Sequence, residues 1–165
     1  MKYPTSALRD QIAAWLESCE RLAVLGIGNP LRGDDGVGIE VVKMLSGKVG
    51  GGVRLFECEM MPENFLGEIE RFRPTHVLMI DAALLEAKPG EARLISPEEI
   101  GGTAVFTHAM PLSILTTLLQ VDIGAKVTLL GVQPKRAEFG EELSLELTEA
   151  AKRIAEAISE ATMDI

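Results

Sequence analysis

The sequence predicts a single-domain α/β protein, a three-layer sandwich with a mostly parallel twisted sheet of about five strands and helices on both faces. Two nearly continuous apolar runs, Leu22 to Ile27 and Thr75 to Asp81, read as strands buried on both sides. Segments with apolar residues at helical spacing alternate with such runs, the pattern of a parallel sheet linked by crossover helices. The length of 165 residues fits one domain of ordinary size. Within it the expected division is an N-terminal helical extension over 1–21 and the α/β domain over 22–165.

Ser6 to Glu20 reads as an amphipathic helix with Leu8, Ile12, Trp15 and Leu16 on one stripe and Thr5 or Ser6 as its cap; Trp15 is read as a packing anchor. The first strand is closed by Gly28-Asn29-Pro30, and from Val37 the residues Val37, Val41 and Leu45 recur at helical spacing. Gly50-Gly51-Gly52 breaks the chain before a second strand at Val53 to Cys58. Pro62 and Glu63 open a helical segment through Phe65, Leu66, Ile69 and Phe72 that Pro74 stops. Thr75 to Asp81 follows as a central strand, with His76 expected at the surface or an edge. Ala92 to Ile95 reads as a short strand, Ser96 and Glu99 as a capping box, and Thr103 to Thr107 as an extended piece leading to His108. Pro111 opens a helix with Leu112, Leu115, Leu118 and Leu119 inward, Lys126 to Val132 is the last strand, and Leu143 to Ile158 is a closing helix.

Between the first strand and its helix lies a glycine-punctuated loop carrying Asp34 and Asp35. Loops that leave the carboxyl ends of strands in open α/β sheets are where ligands bind. Gly26 and Gly28 have the first spacing of a dinucleotide fingerprint, but Leu31 stands where its third glycine belongs, and the Lys and Ser/Thr of a phosphate-binding P-loop are missing. Two adjacent acids repel phosphate, so the loop suits a cation. The plainer alternative is that one acid, Asp34, caps the helix from Gly36, which leaves Asp35 unexplained. Asp81, at the end of the second long run, falls on the same edge of the sheet; its plain reading is the start of a turn toward Ala82-Ala83.

Composition narrows the function further. The net charge of −9 argues against nucleic acid as partner. No apolar run approaches membrane-spanning length, no signal peptide is read at the amino end, and two cysteines, Cys19 and Cys58, in no CxxC pattern make a reducing cytoplasm the expected compartment. With only His76 and His108 in the chain and no thiolate cluster, a transition-metal site would need carboxylates plus one imidazole. Asp35, Asp81 and His108 supply that set and leave coordination positions open. The same groups are equally able to do acid and base work on a peptide bond.

Five separated motifs then agree in order and spacing: GIGNPLRGDDGVG at 26–38, IDA at 80–82, PGE at 89–91, THAMPL at 107–112 and LGVQP at 130–134. In these the chain resembles the hydrogenase maturation endopeptidases, most closely the branch serving the formate-hydrogenlyase type of nickel-iron hydrogenase. The resemblance implies a protease that removes the C-terminal extension of the hydrogenase large-subunit precursor once nickel is installed there. The nickel, brought by the substrate, is the recognition element, and the resemblance assigns Asp35, Asp81 and His108 to it as metal ligands and catalytic groups. Aspartate at position 35 replaces the glutamate of some members and keeps the oxygen donor. Two other classes stay open at this point. A receiver-like phosphoacceptor would use Asp81 beside magnesium with Thr107 and Lys135, and a binding module would dock on the precursor without cutting it.

Overall fold

The computed structural model describes residues 5–102, 104–105, 110–140 and 142–165. The first strand, β1 (Leu22–Ile27), lies between β2 (Val53–Glu59) and β3 (His76–Leu84), and is parallel to both. β6 (Lys126–Val132) runs parallel on the other side of β3. β4 (Ala92–Ile95) closes that edge antiparallel to β6, giving the order β2-β1-β3-β6-β4. A two-residue strand, β5 (Ala104–Val105), pairs antiparallel with the far end of β3, with Ala83 opposite Val105. The expected mostly parallel sheet of about five strands is therefore present, and among the described residues its antiparallel members are the short strands β4 and β5.

Side-chain alternation along the central strands divides the core into two. Leu22 and Val24 of β1, Leu78, Ile80 and Ala82 of β3, and Leu130 and Val132 of β6 pack under α2 (Val37–Leu45), α6 (Leu145–Thr162) and α1 (Thr5–Trp15). Ala23, Leu25 and Ile27, Val77 and Met79, and Val127 and Leu129 face α3 (Leu66–Phe72) and α5 (Leu112–Leu118). Both faces of β1 and β3 are thus covered, which explains why these strands read as unbroken apolar runs. α4 (Pro97–Ile100) is a single turn; Ser96 occupies its cap position, but its hydroxyl makes no capping hydrogen bond.

The chain crosses from β1 through α2 to β2 on one face, then returns through α3 on the other face to β3, on the opposite side of β1. The direction of winding therefore reverses between β1 and β3, and the crevice outside their carboxyl ends is a topological switch point. Close contact sets the depth of that crevice. A Cβ on Gly38 of α2 would stand 2.1 Å from the Ile80 carbonyl oxygen and 2.8 Å from that of Ile27, so the helix rests directly on the strand ends.

Element boundaries differ from the sequence reading, three of them for reasons visible in the hydrogen bonding. The first helix stops at Trp15, short of Glu20, because the chain turns through Ser18 at φ 65° and is received by Thr75, whose hydroxyl accepts from the Glu20 and Arg21 amides. β3 continues three residues past Asp81, because β6 and then β5 supply partners where β1 has ended; Asp81 begins no turn. The last helix starts at Leu145 with Ser144 as its cap, the hydroxyl accepting from the Leu147 amide at 3.3 Å.

Candidate functional site

The loop after β1 and the body of β3 bring aspartates to the switch point. β1 leads into a tight helical turn at Gly33–Gly36, and the two acids in it face different surroundings. Asp34, fully buried, is not the cap of α2: its Oδ2 accepts from the Lys135 amide at 2.8 Å, the Arg136 amide at 3.0 Å and the Ser144 hydroxyl at 2.9 Å. Its Oδ1 accepts from the Ser144 amide at 2.7 Å, and its own amide donates to the Arg136 carbonyl at 2.9 Å. One carboxylate therefore ties the β1 loop to the segment between β6 and α6. The helix-cap reading of Asp34 is corrected, because all of its acceptor capacity is directed across the fold.

Asp35 turns the other way. It is 2% exposed, its Oδ2 accepts from the Asn29 amide at 2.9 Å, and its backbone carbonyl crosses directly over Gly28. A Cβ on Gly28 would be 1.9 Å from that carbonyl oxygen and 3.4 Å from Oδ1 of Asp81, and Gly28 itself sits at φ 138°. Only glycine admits this approach. The backbone of Asp35 and the carboxylate of Asp81 thus flank a single residue. Asp81, fully buried, is the first β3 residue beyond the β1 ladder, which ends at the Gly26–Ile80 pair, and its Oδ1 accepts from the Ala82 amide at 2.8 Å.

His108 and Thr107 lie outside the described residues. Among the described residues no group of three His, Cys, Asp or Glu side chains is placed to hold a metal ion. His76 does not belong to this edge. It is the first residue of β3, five residues and roughly 17 Å from Asp81 at ordinary strand rise. Contrary to expectation it is buried rather than at the surface, with its Nδ1 3.1 Å from the Thr75 hydroxyl and its ring edge-on to Trp15 at 5.1 Å. Burial, followed by the nearby Lys126 ammonium, lowers its pKa, with the Trp15 carbonyl opposing.

The sequence reading passed over Glu63. Its place in the sequence marks it only as a helix opener, yet it stands in the turn after β2, and its Oε2 is buried with no hydrogen-bond partner among the described residues. Cys58, at the end of the same strand, is buried and its pKa is pushed up to about 12, chiefly by burial and further by Glu63 and Glu68. A thiol so held is no nucleophile at neutral pH. Cysteine-protease chemistry is therefore not what this edge is built for. Nor does Lys135 suit a phosphoacceptor site, because its ammonium pairs with Glu146 at 2.8 Å.

A doubly covered α/β sheet with buried acids at its switch point defines a class, and comparison with known proteins gives the particular family. A sequence model described as HycI, hydrogenase maturation protease, matches residues 39–162. The hydrogenase 3 maturation protease of Escherichia coli K12 is 36% identical over 117 residues, covering 70% of this chain and 74% of that one. The crystal structure of a [NiFe] hydrogenase maturation protease HycI from Thermococcus kodakarensis superposes with a TM-score of 0.85 at 34% identity, over 92% of this chain and 97% of that chain. The solution structure of the endopeptidase HycI from E. coli gives a TM-score of 0.75 at 31% identity, over 85% and 90%. The chain belongs to the hydrogenase maturation protease family. It is a protease of hydrogenase maturation, and the receiver reading falls away. Among the described residues no helix is long and apolar enough to cross a membrane.

Proposed function

We propose that this protein removes the C-terminal extension of a nickel-iron hydrogenase large-subunit precursor, and that it reads the nickel already seated in that precursor through Asp35, Asp81 and His108. The observation that carries this reading is the convergence on Gly28 of the Asp35 backbone and the Asp81 carboxylate at the switch point of a maturation-protease fold. Chain order supports the third member: Val105 pairs with Ala83, two residues past Asp81, and His108 is the third residue after Val105 in the sequence. Carboxylate and imidazole donors suit a borderline divalent ion, and a set of three leaves positions to the groups of the substrate.

The metal belongs to the substrate, so discrimination follows from the acids themselves. Two buried acids at one crevice attract a cation and offer a neutral peptide no comparable interaction, so a precursor that carries its metal gains binding energy that a bare one lacks. Peptide hydrolysis needs a base for the attacking water and an acid for the departing amine, work that positioned carboxylates and an imidazole perform. Two free cysteines, Cys19 and Cys58, fit the reducing cytoplasm in which such a precursor is assembled. The test is incubation with nickel-loaded and nickel-free precursor, followed by intact-mass measurement. Shortening of the loaded form alone is expected. Equal shortening of both forms removes the nickel-reading role, and a stable complex with no shortening makes the protein a binder.

A further inference from the structure

Five of the nine large hydrophobic side chains exposed among the described residues lie at the carboxyl edge of the sheet: Leu31 after β1, Met60 and Met61 after β2, Leu84 at the end of β3 and Phe139 after β6. Apolar groups concentrated around a site, and not scattered, mark an interaction surface. Two of them are held to one another. The Gly140 amide donates to the Leu31 carbonyl, the Arg32 Nε donates to the Ala137 carbonyl at 3.4 Å, and Asp34 binds the amides of Lys135 and Arg136 from beneath. Buried wiring therefore fixes two loops whose outward faces present Leu31 at 60% and Phe139 at 76% exposure. A loop backbone held in place before a partner arrives loses less entropy on binding it.

Charge narrows the occupant. The chain carries −9 overall, yet the guanidinium group of Arg32 beside this pair is in no ion pair among the described residues, whereas Lys135 pairs with Glu146 at 2.8 Å and Arg136 shares that carboxylate's field. We infer that Leu31 and Phe139, with the Arg32 guanidinium beside them, are the docking surface for an apolar, acid-bearing segment of the precursor polypeptide next to its cleavage point. This inference rests on the protease reading above. The cut needs the client chain laid across this edge, and the acids of the crevice offer it no apolar grip of their own.

The test measures equilibrium binding and steady-state shortening of nickel-loaded precursor by the wild type, a Leu31→Ser/Phe139→Ser double variant and Arg32→Glu, with melting temperatures recorded. The double variant is expected to raise Kd and KM at least ten-fold with kcat within two-fold and melting unchanged, since both side chains are exposed. Arg32→Glu is expected to raise KM and to reverse its salt dependence, because added salt screens attraction in the wild type and repulsion in the variant. Kd and KM within two-fold of wild type in both variants overturn the inference while leaving the protease reading intact. If the wild type binds but does not shorten the precursor, the protease reading falls and the variants' Kd still judges the surface. If the wild type does not bind the precursor, both fall.

Discussion

Replacing Asp34 by alanine would leave the amides of Lys135, Arg136 and Ser144 and the Ser144 hydroxyl without their shared acceptor inside the protein. Breaking a buried charged network in this way costs about 3 to 5 kcal/mol. Asp34→Ala is therefore expected to lower the unfolding free energy by that amount in urea titrations. Asp35→Asn and Asp81→Asn keep an oxygen for the Asn29 and Ala82 amides and are expected to cost less than Asp34→Ala. Two neighbouring acids thus separate by experiment into a latch and a site residue. The resemblance singles out Asp35, but nothing local in the sequence reveals the latch, because the partners of Asp34 lie a hundred residues further on and a capping role is the local default for an aspartate before a helix. Asp81 was legible, since a carboxylate ending a long apolar run has to emerge at the strand's exit edge.

At the scale of elements, α2 is placed by Gly38. An alanine there would bring its Cβ to 2.1 Å from the Ile80 carbonyl and push the helix off the ends of β1 and β3. Overpacking of this kind costs about 1 to 3 kcal/mol, and the upper end is expected here because the obstacle is backbone. Since the displaced helix begins one residue after the Asp34–Asp35 turn, Gly38→Ala is also expected to depress precursor processing more than its loss of stability explains, measured well below its melting temperature. At the opposite edge α1 is seated through Trp15 on His76, and the Lys126 ammonium reaches the Trp15 carbonyl at 3.4 Å. Burial and Lys126 hold the folded-state pKa of His76 below its ordinary value near 6.5. The unfolded chain therefore takes up a proton that the folded one refuses. Stability from this residue is present above about pH 6.5 and is lost as the pH falls toward the folded-state value. Urea titrations from pH 8 to pH 5 are expected to show a steeper decline for the wild type than for His76→Gln. Equal slopes would exclude His76 as the cause.

Across the whole molecule, the alternation of apolar runs with helical stripes made the layers, the two central strands and the ligand-bearing edge legible in the sequence. Pairing escaped it. Nothing local marks β4 as antiparallel or extends β3 to Leu84, because both depend on partners supplied by β6 and by β5. The bearing of His76 was missed for a related reason: its burial is created by α1 folding back over the amino ends of the strands. The central claim is that the acids of the switch point read a metal carried by the client and permit the cut. Its most direct test is the intact mass of nickel-loaded precursor after incubation with Asp81→Asn, alongside the variant's melting temperature. The expected result is a variant that melts within a few degrees of wild type and leaves the precursor at full length. Complete shortening at the wild-type rate would contradict the claim.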